Sequence, residues 1–225
     1  MRPYYRTSNE NIALIGHRKS SESSEPEVLA DIYDSANNIA IWKRELNQAV
    51  LSSVDQLFAE TRSLKIEGSV RPESAKAFLL DKLKGLAWAE PLSSEIAELV
   101  DMFCCLFELE NAGLRLTMLD HAMCPRFHVD RVPCRLVTTF KGSSTQWLPH
   151  EAVDRSKLGH GNNGLPDEES GIYQDVSDIR QLTSGDVALL KGELWEGNEN
   201  AGLVHRSPGV KPGEKRLLLT LDFIG

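Results

Sequence analysis

Four residues in the second half of this sequence combine type and spacing that could do chemistry: His128, Asp130, His205 and Arg216. His128-Val129-Asp130 is an H-x-D. In a strand, residues i and i+2 point the same way, so the imidazole and the carboxylate face one interior. His205 stands 75 residues after Asp130, in a short strand-like segment. Two imidazoles and one carboxylate make the three-ligand face of a mononuclear non-haem Fe(II) centre, which leaves three positions open for cosubstrate and oxygen. Arg216 follows His205 with ten residues between and opens the run Arg216-Leu-Leu-Leu-Thr-Leu-Asp-Phe223. A guanidinium in the same interior would grip a carboxylate with its planar fork. A dicarboxylate such as 2-oxoglutarate needs that arrangement, with one end at the metal and the other at the arginine.

Each of these residues has a plainer reading. His128 and Asp130 also read as a hydrogen-bonded pair in a strand, and Arg216 as a surface-strand arginine paired with Asp222 or Glu214. Cys124 and Cys134 flank the H-x-D, and thiolate with imidazole favours Zn(II). Cys124, His128, Cys134 and His205 therefore form an alternative, tetrahedral zinc set. Against it, the Cys-x(9)-Cys spacing is uncommon for zinc, and Pro133 turns the chain beside Cys134. Cys104-Cys105 reads as packing in an apolar helix, and His121, His150 and His160 as solvated loop residues. Trp147 and Trp195 read as rim packing or a substrate platform, and Asp167-Glu-Glu169 as a solvated loop face.

The elements that must position the site follow from periodicity. Twelve of the 16 glycines lie at or after Gly142, and five of the six histidines lie between His121 and His205. The front of the chain instead has helical period. Helices are predicted from about Glu45 to Thr61, from Pro72 onward, and from near Ser94 with Ile96, Leu99, Val100 and Phe103 buried. Strands are predicted at Asn38–Trp42, Leu64–Val70, Leu114–Met118, Cys134–Phe140, Val187–Leu190, Gly202–His205 and Arg216–Phe223. Residues 149–172 form a long loop of Gly, Asn, Asp and Pro, a length that usually goes with function or disorder. The Ser/Glu/Pro run before Pro26 has too little apolar content to fold alone. The expected organisation is a mobile tail over 1–26, a mainly helical buttress over 27–113 and a β-rich domain carrying the site over 114–225.

Residues 114–225 resemble the 2-oxoglutarate/Fe(II) dioxygenase superfamily in the pattern H-x-D…H-x(10)-R and in Gly185-Asp-Val-Ala-Leu-Leu190 before the distal histidine. The resemblance implies an α+β fold in which N-terminal helices pack on a cupin-like double-stranded β-helix (a jelly roll). It implies Fe(II) on His128, Asp130 and His205, and 2-oxoglutarate on Arg216. The sequence departs from the superfamily two positions after the arginine, where many members carry a hydroxyl and this chain has Leu218. Thr220, Thr138 and Thr139 are the candidates to supply it. Cys124-Pro-Arg-Phe-His128-Val-Asp130-Arg-Val-Pro-Cys134, Lys191-Gly-Glu-Leu-Trp195 and Val204-His205-Arg-Ser-Pro208 more closely resemble an uncharacterised bacterial family, the domain-of-unknown-function family eighteen-twenty-six. Members often stand beside zinc-homeostasis genes, which keeps Zn(II) and metal homeostasis as an alternative. A catalytically inactive cupin-like interaction module is the other.

Composition narrows the partners. The chain has 225 residues, is 41% hydrophobic and 26% charged, and carries a net charge of −8. That balance excludes wholesale disorder and makes nucleic acid and anionic membranes unexpected partners. The expected substrate is a small molecule or a protein. No signal-peptide pattern opens the chain, so the expected location is cytoplasmic. Four cysteines in a chain of this length do not make a disulfide scaffold.

Overall fold

A computed structural model describes residues 18–84 and 86–224. The frame of the site is a seven-stranded sheet in the order β1-β2-β8-β5-β10-β4-β3. Its strands are β1 (Lys19–Ser23), β2 (Asn37–Trp42), β3 (Lys65–Val70), β4 (Ala112–Leu119), β5 (Cys134–Lys141), β8 (Val187–Lys191) and β10 (Arg216–Asp222). All neighbours run antiparallel except β1 and β2. A smaller sheet has the order β7-β6-β9, from β6 (Gln146–Leu148), β7 (Arg180–Gln181) and β9 (Val204–Arg206). A single antiparallel bridge from His128 to His205 extends its β9 edge.

Strand alternation gives the large sheet two different faces. From β10, Leu217, Leu219 and Leu221 enter one core with Leu92, Ile96, Leu99 and Phe103. Those last four lie on α3 (Ala89–Phe107), which with α1 (Gln48–Glu60) and α2 (Pro72–Lys82) covers this face. Ile39, Ile41, Val137, Ala188 and Leu190 project from the opposite face and meet Trp147 and Leu203 of the small-sheet side. Trp147 is therefore interior packing between the sheets. Arg216, Leu218 and Thr220 share this inner side and line a cleft with both His128 and His205.

Several expectations need correction. Lys19–Ser23 was expected in a mobile tail, yet it pairs with β2 as a parallel edge strand. Its side chains stay largely exposed, because a strand can be held by backbone hydrogen bonds without burying an apolar face. Residues 1–17 of that tail lie outside the described residues. The third helix begins at Ala89 rather than near Ser94, since Pro91 sits in its first turn, where a backbone N–H has no intrahelical partner anyway. α1 starts where the Asn47 side chain accepts the Val50 N–H at 2.9 Å. The 149–172 loop is built of short turns, and Val153, Leu158 and Ile172 pack on Phe127, Leu148 and Val204. No helix among the described residues is long and apolar enough to cross a membrane.

The helix-side face of β10 is core, whereas the turn at Val176 is solvent-facing. Leu219 is 0% exposed, and Leu219→Ala should lower stability in urea unfolding by about 2–5 kcal/mol. Val176, at 72% exposed, should tolerate Val176→Ala within about 0.5 kcal/mol.

Candidate metal centre

The backbone brings the two histidines together. His128 N–H donates to the His205 carbonyl at 3.0 Å, and His205 N–H donates back to His128 at 3.0 Å. As a directly opposed pair they project to the same side of the small sheet, and their ring centroids lie 4.6 Å apart. Each ring is then fixed by its own chain. Nδ1 of His128 faces the Arg126 carbonyl at 2.9 Å, and Nδ1 of His205 faces the Leu203 carbonyl at 3.2 Å. A carbonyl only accepts, so Nδ1 carries a proton in both rings and Nε2 is the ring atom turned toward the cluster.

Both Nε2 atoms face Asp130. His128 Nε2 lies 3.7 Å from Asp130 Oδ1, and His205 Nε2 lies 3.4 Å from Asp130 Oδ2. One ligand atom from each of the three residues falls within 4.8 Å of the others, close enough to share one ion. Burial alone would raise the Asp130 carboxyl, but His205, Arg135 and His128 outweigh it and hold the group well below the usual carboxylate range. Burial, then the adjacent His205, lowers His128 below the ordinary imidazole value. The cluster is thus biased toward one carboxylate and a neutral imidazole at His128, the forms that bind metals.

Arg135 is a site residue that the sequence reading missed. Its guanidinium reaches Asp130 Oδ2 at 2.6 Å and Asp222 at 2.6 and 3.1 Å. It therefore ties the carboxylate of the H-x-D to the end of β10. The alternation of β5 was a usable signal: Arg135 has the parity of Val137, facing the inner side. The same alternation removes Cys134 from the site. Cys134 is 0% exposed and packs in the helix-side core, where burial pushes its thiol up and disfavours the thiolate. Cys124 lines the cleft but does not join the ligand group found among the described residues. The alternative zinc set is therefore not assembled.

Arg216 is not a surface arginine. It is 0% exposed, and Asp222, its expected partner, is taken by Arg135. Among the described residues it donates only to hydroxyls: Ser207 at 2.9 Å, Thr139 at 3.3 Å and Thr145 at 3.4 Å. Its Nε has no partner among the described residues, and neither do the buried hydroxyls of Thr117 and Thr220 in the same cleft. Burial lowers the guanidinium to about 10. Thr138 lies on the other face of β5, opposite Leu219 in the ladder and away from the cleft. Thr139 touches the arginine, and Thr220 lines the cleft.

Close backbone approach fixes Asp130 from behind. Glu193 N–H donates to the Asp130 carbonyl at 3.0 Å, and Leu194 N–H to that of Val132 at 3.2 Å. Gly192 permits this: a Cβ there would meet the Val132 oxygen at 2.0 Å and the Asp130 oxygen at 2.9 Å.

The family described as Protein of unknown function (DUF1826) matches residues 23–222. No curated protein matches the chain. Among solved structures, the dioxygenase for auxin oxidation in rice is similar over 93% of this chain and 83% of its own, at TM-score 0.51 and 11% identity. The full-length Neurospora crassa T7H in complex with alpha-KG is similar over 92% of this chain and 84% of its own, at TM-score 0.49 and 10% identity. A Pseudomonas putida prolyl-4-hydroxylase is similar over 88% of this chain and 98% of its own, at TM-score 0.42 and 12% identity. The rice likeness shows the fold alone, a mixed α and β architecture of the jelly-roll type.

Gly192→Ala should push the 130–133 turn away from residues 192–194 and cost about 1–3 kcal/mol in denaturant unfolding. Gly209→Ala, where a Cβ meets nothing within 4 Å, should stay within about 0.5 kcal/mol.

Proposed function

This chain belongs to the family described as Protein of unknown function (DUF1826), and we propose that it is an Fe(II)- and 2-oxoglutarate-dependent oxygenase acting on a small molecule or a protein. The observation that carries the reading is a buried guanidinium with no carboxylate partner among the described residues, beside a cluster of two histidines and one carboxylate. A cation shut away from water without an anion is costly, so the cleft is suited to bind one. The donor set also fits the metal, since two imidazoles and one carboxylate leave open positions and suit Fe(II).

His128, Asp130 and His205 would hold Fe(II). Arg216 would hold the far carboxylate of 2-oxoglutarate, with hydroxyls from Thr117 and Thr220 in place of the one missing at Leu218. Leu218 pairs with Thr117 across β4, so that hydroxyl lies beside the vacant role. When bound, iron and 2-oxoglutarate supply oxygen activation coupled to decarboxylation of the cosubstrate. The chain's part is to orient and to exclude water. Arg135 holds Asp130 ionised and aimed, the two backbone carbonyls fix the imidazole tautomers, and Thr139, Thr145 and Ser207 hold the guanidinium in one orientation.

Two measurements bear on this. Anaerobic calorimetry of the Fe(II)-loaded protein should show 2-oxoglutarate binding that Arg216→Ala weakens by about tenfold or more, at about 1.5–3 kcal/mol per charge-assisted bond. Arg216→Lys should recover part of it, because an ammonium lacks the fork. No binding to the wild type, or equal binding to the Arg216→Ala protein, contradicts the cosubstrate. Separately, Cys124→Ser and Cys134→Ser should leave metal stoichiometry at the wild-type value. Loss of metal from either folded variant would restore the zinc reading.

A further inference from the structure

Asp167 stands apart from the metal cluster, on the other side of the strands that carry it. The acidic run Asp167-Glu-Glu169 was expected to be solvated, but Asp167 is 5% exposed. Its Oδ2 accepts the Phe127 N–H at 2.8 Å and lies 3.0 Å from the Arg206 guanidinium. Phe127 precedes His128, and Arg206 follows His205. Because His128 and His205 are paired antiparallel, Phe127 and Arg206 are also opposite each other, on the outer face. One carboxylate oxygen therefore takes one donor from each histidine-bearing segment. Arg206 extends the connection: its Nε donates to Gln146 of β6 at 2.8 Å, and its guanidinium lies over the Phe127 ring at 4.4 Å. Arg126 fastens the same loop by donating to the Leu165 and Gly164 carbonyls at 2.6 and 3.1 Å.

The need for such a fastening is visible in the ladder. β9 pairs with β6 over three residues, but the His128 segment joins β9 through a single bridge and, out of ladder register, the donation of Ser207 N–H to the Cys124 carbonyl at 2.9 Å. A single bridge has no adjacent in-register rungs, and the Ser207–Cys124 bond lies beyond a break in the pairing. We propose that Asp167 is a positioning residue that clamps the His128 and His205 segments together and so sets the spacing of the two imidazoles. The clamping is independent of any ligand; its consequence for metal affinity rests on the reading of the cluster as a metal centre.

Two readouts on chelator-treated protein test it: amide exchange of His128 and His205 without metal, and Co(II) affinity from visible absorption. Asp167→Ala should speed exchange at both amides and weaken Co(II) binding by about tenfold, the loss typical when the support of a metal ligand is removed. Asp167→Asn should fall between, since its amide oxygen still accepts the Phe127 N–H but lacks the charge for Arg206. This variant carries the test if the alanine protein does not fold. Glu168→Gln should change neither readout, because Glu168 also reaches Arg206 (3.1 Å) but is 61% exposed. Wild-type exchange at both amides in a folded Asp167 variant overturns the clamp, whatever its melting temperature. Faster exchange with unchanged Co(II) affinity overturns the positioning of the metal ligands. Faster exchange in a protein whose wild type takes up no Co(II) supports the clamp and defeats the metal reading instead.

Discussion

The site depends on two reciprocal backbone hydrogen bonds between His128 and His205. They make the histidines directly opposed partners, so both imidazoles emerge on one side at one height. Each ring then repeats the same local device, Nδ1 turned to the carbonyl two residues upstream, at Arg126 and at Leu203. The result is a pair of Nε2 atoms facing Asp130. Asp130 completes the arrangement because it lies two residues beyond His128 and because the 192–194 backbone holds its turn from behind.

The cleft also contrasts two arginines, the half-buried Arg135 and the fully buried Arg216. Arg135 is neutralised by two carboxylates and acts as a strut from Asp130 to β10. Arg216 is surrounded by hydroxyls, which orient a guanidinium without cancelling its charge. The β5–β6 turn closes on it, and Gly142 makes room: a Cβ there would lie 2.8 Å from the Arg216 Cα, and its φ is +92°. A buried cation with no carboxylate partner among the described residues is unfavourable, and the proposed function rests on its place beside the two histidines and Asp130.

Much of this was legible in the sequence because strands have period two. The H-x-D was expected in a strand, but only His128 is bridged and Asp130 lies in the turn beyond it; the parity of Arg216 with Thr220 put both on the inner side of β10. The same rule, applied to Cys134 and Arg135, would have discarded the zinc set and found the strut. Thr138 failed as a candidate on that ground, being one residue out of phase with Val137 and Thr139. Other features carried no local signal. β1 is held by backbone pairing to β2 with its side chains in water, β6 and β7 are too short to show alternation, and Asp167 is buried only because a distant loop folds over the small sheet.

X-ray absorption of the anaerobic Fe(II)-loaded protein examines the ligand set most directly. The account predicts a shell of nitrogen and oxygen neighbours only, with two imidazole rings that fall to one in His205→Ala. A sulfur neighbour at about 2.3 Å, or an imidazole count unaffected by loss of His205, would contradict it.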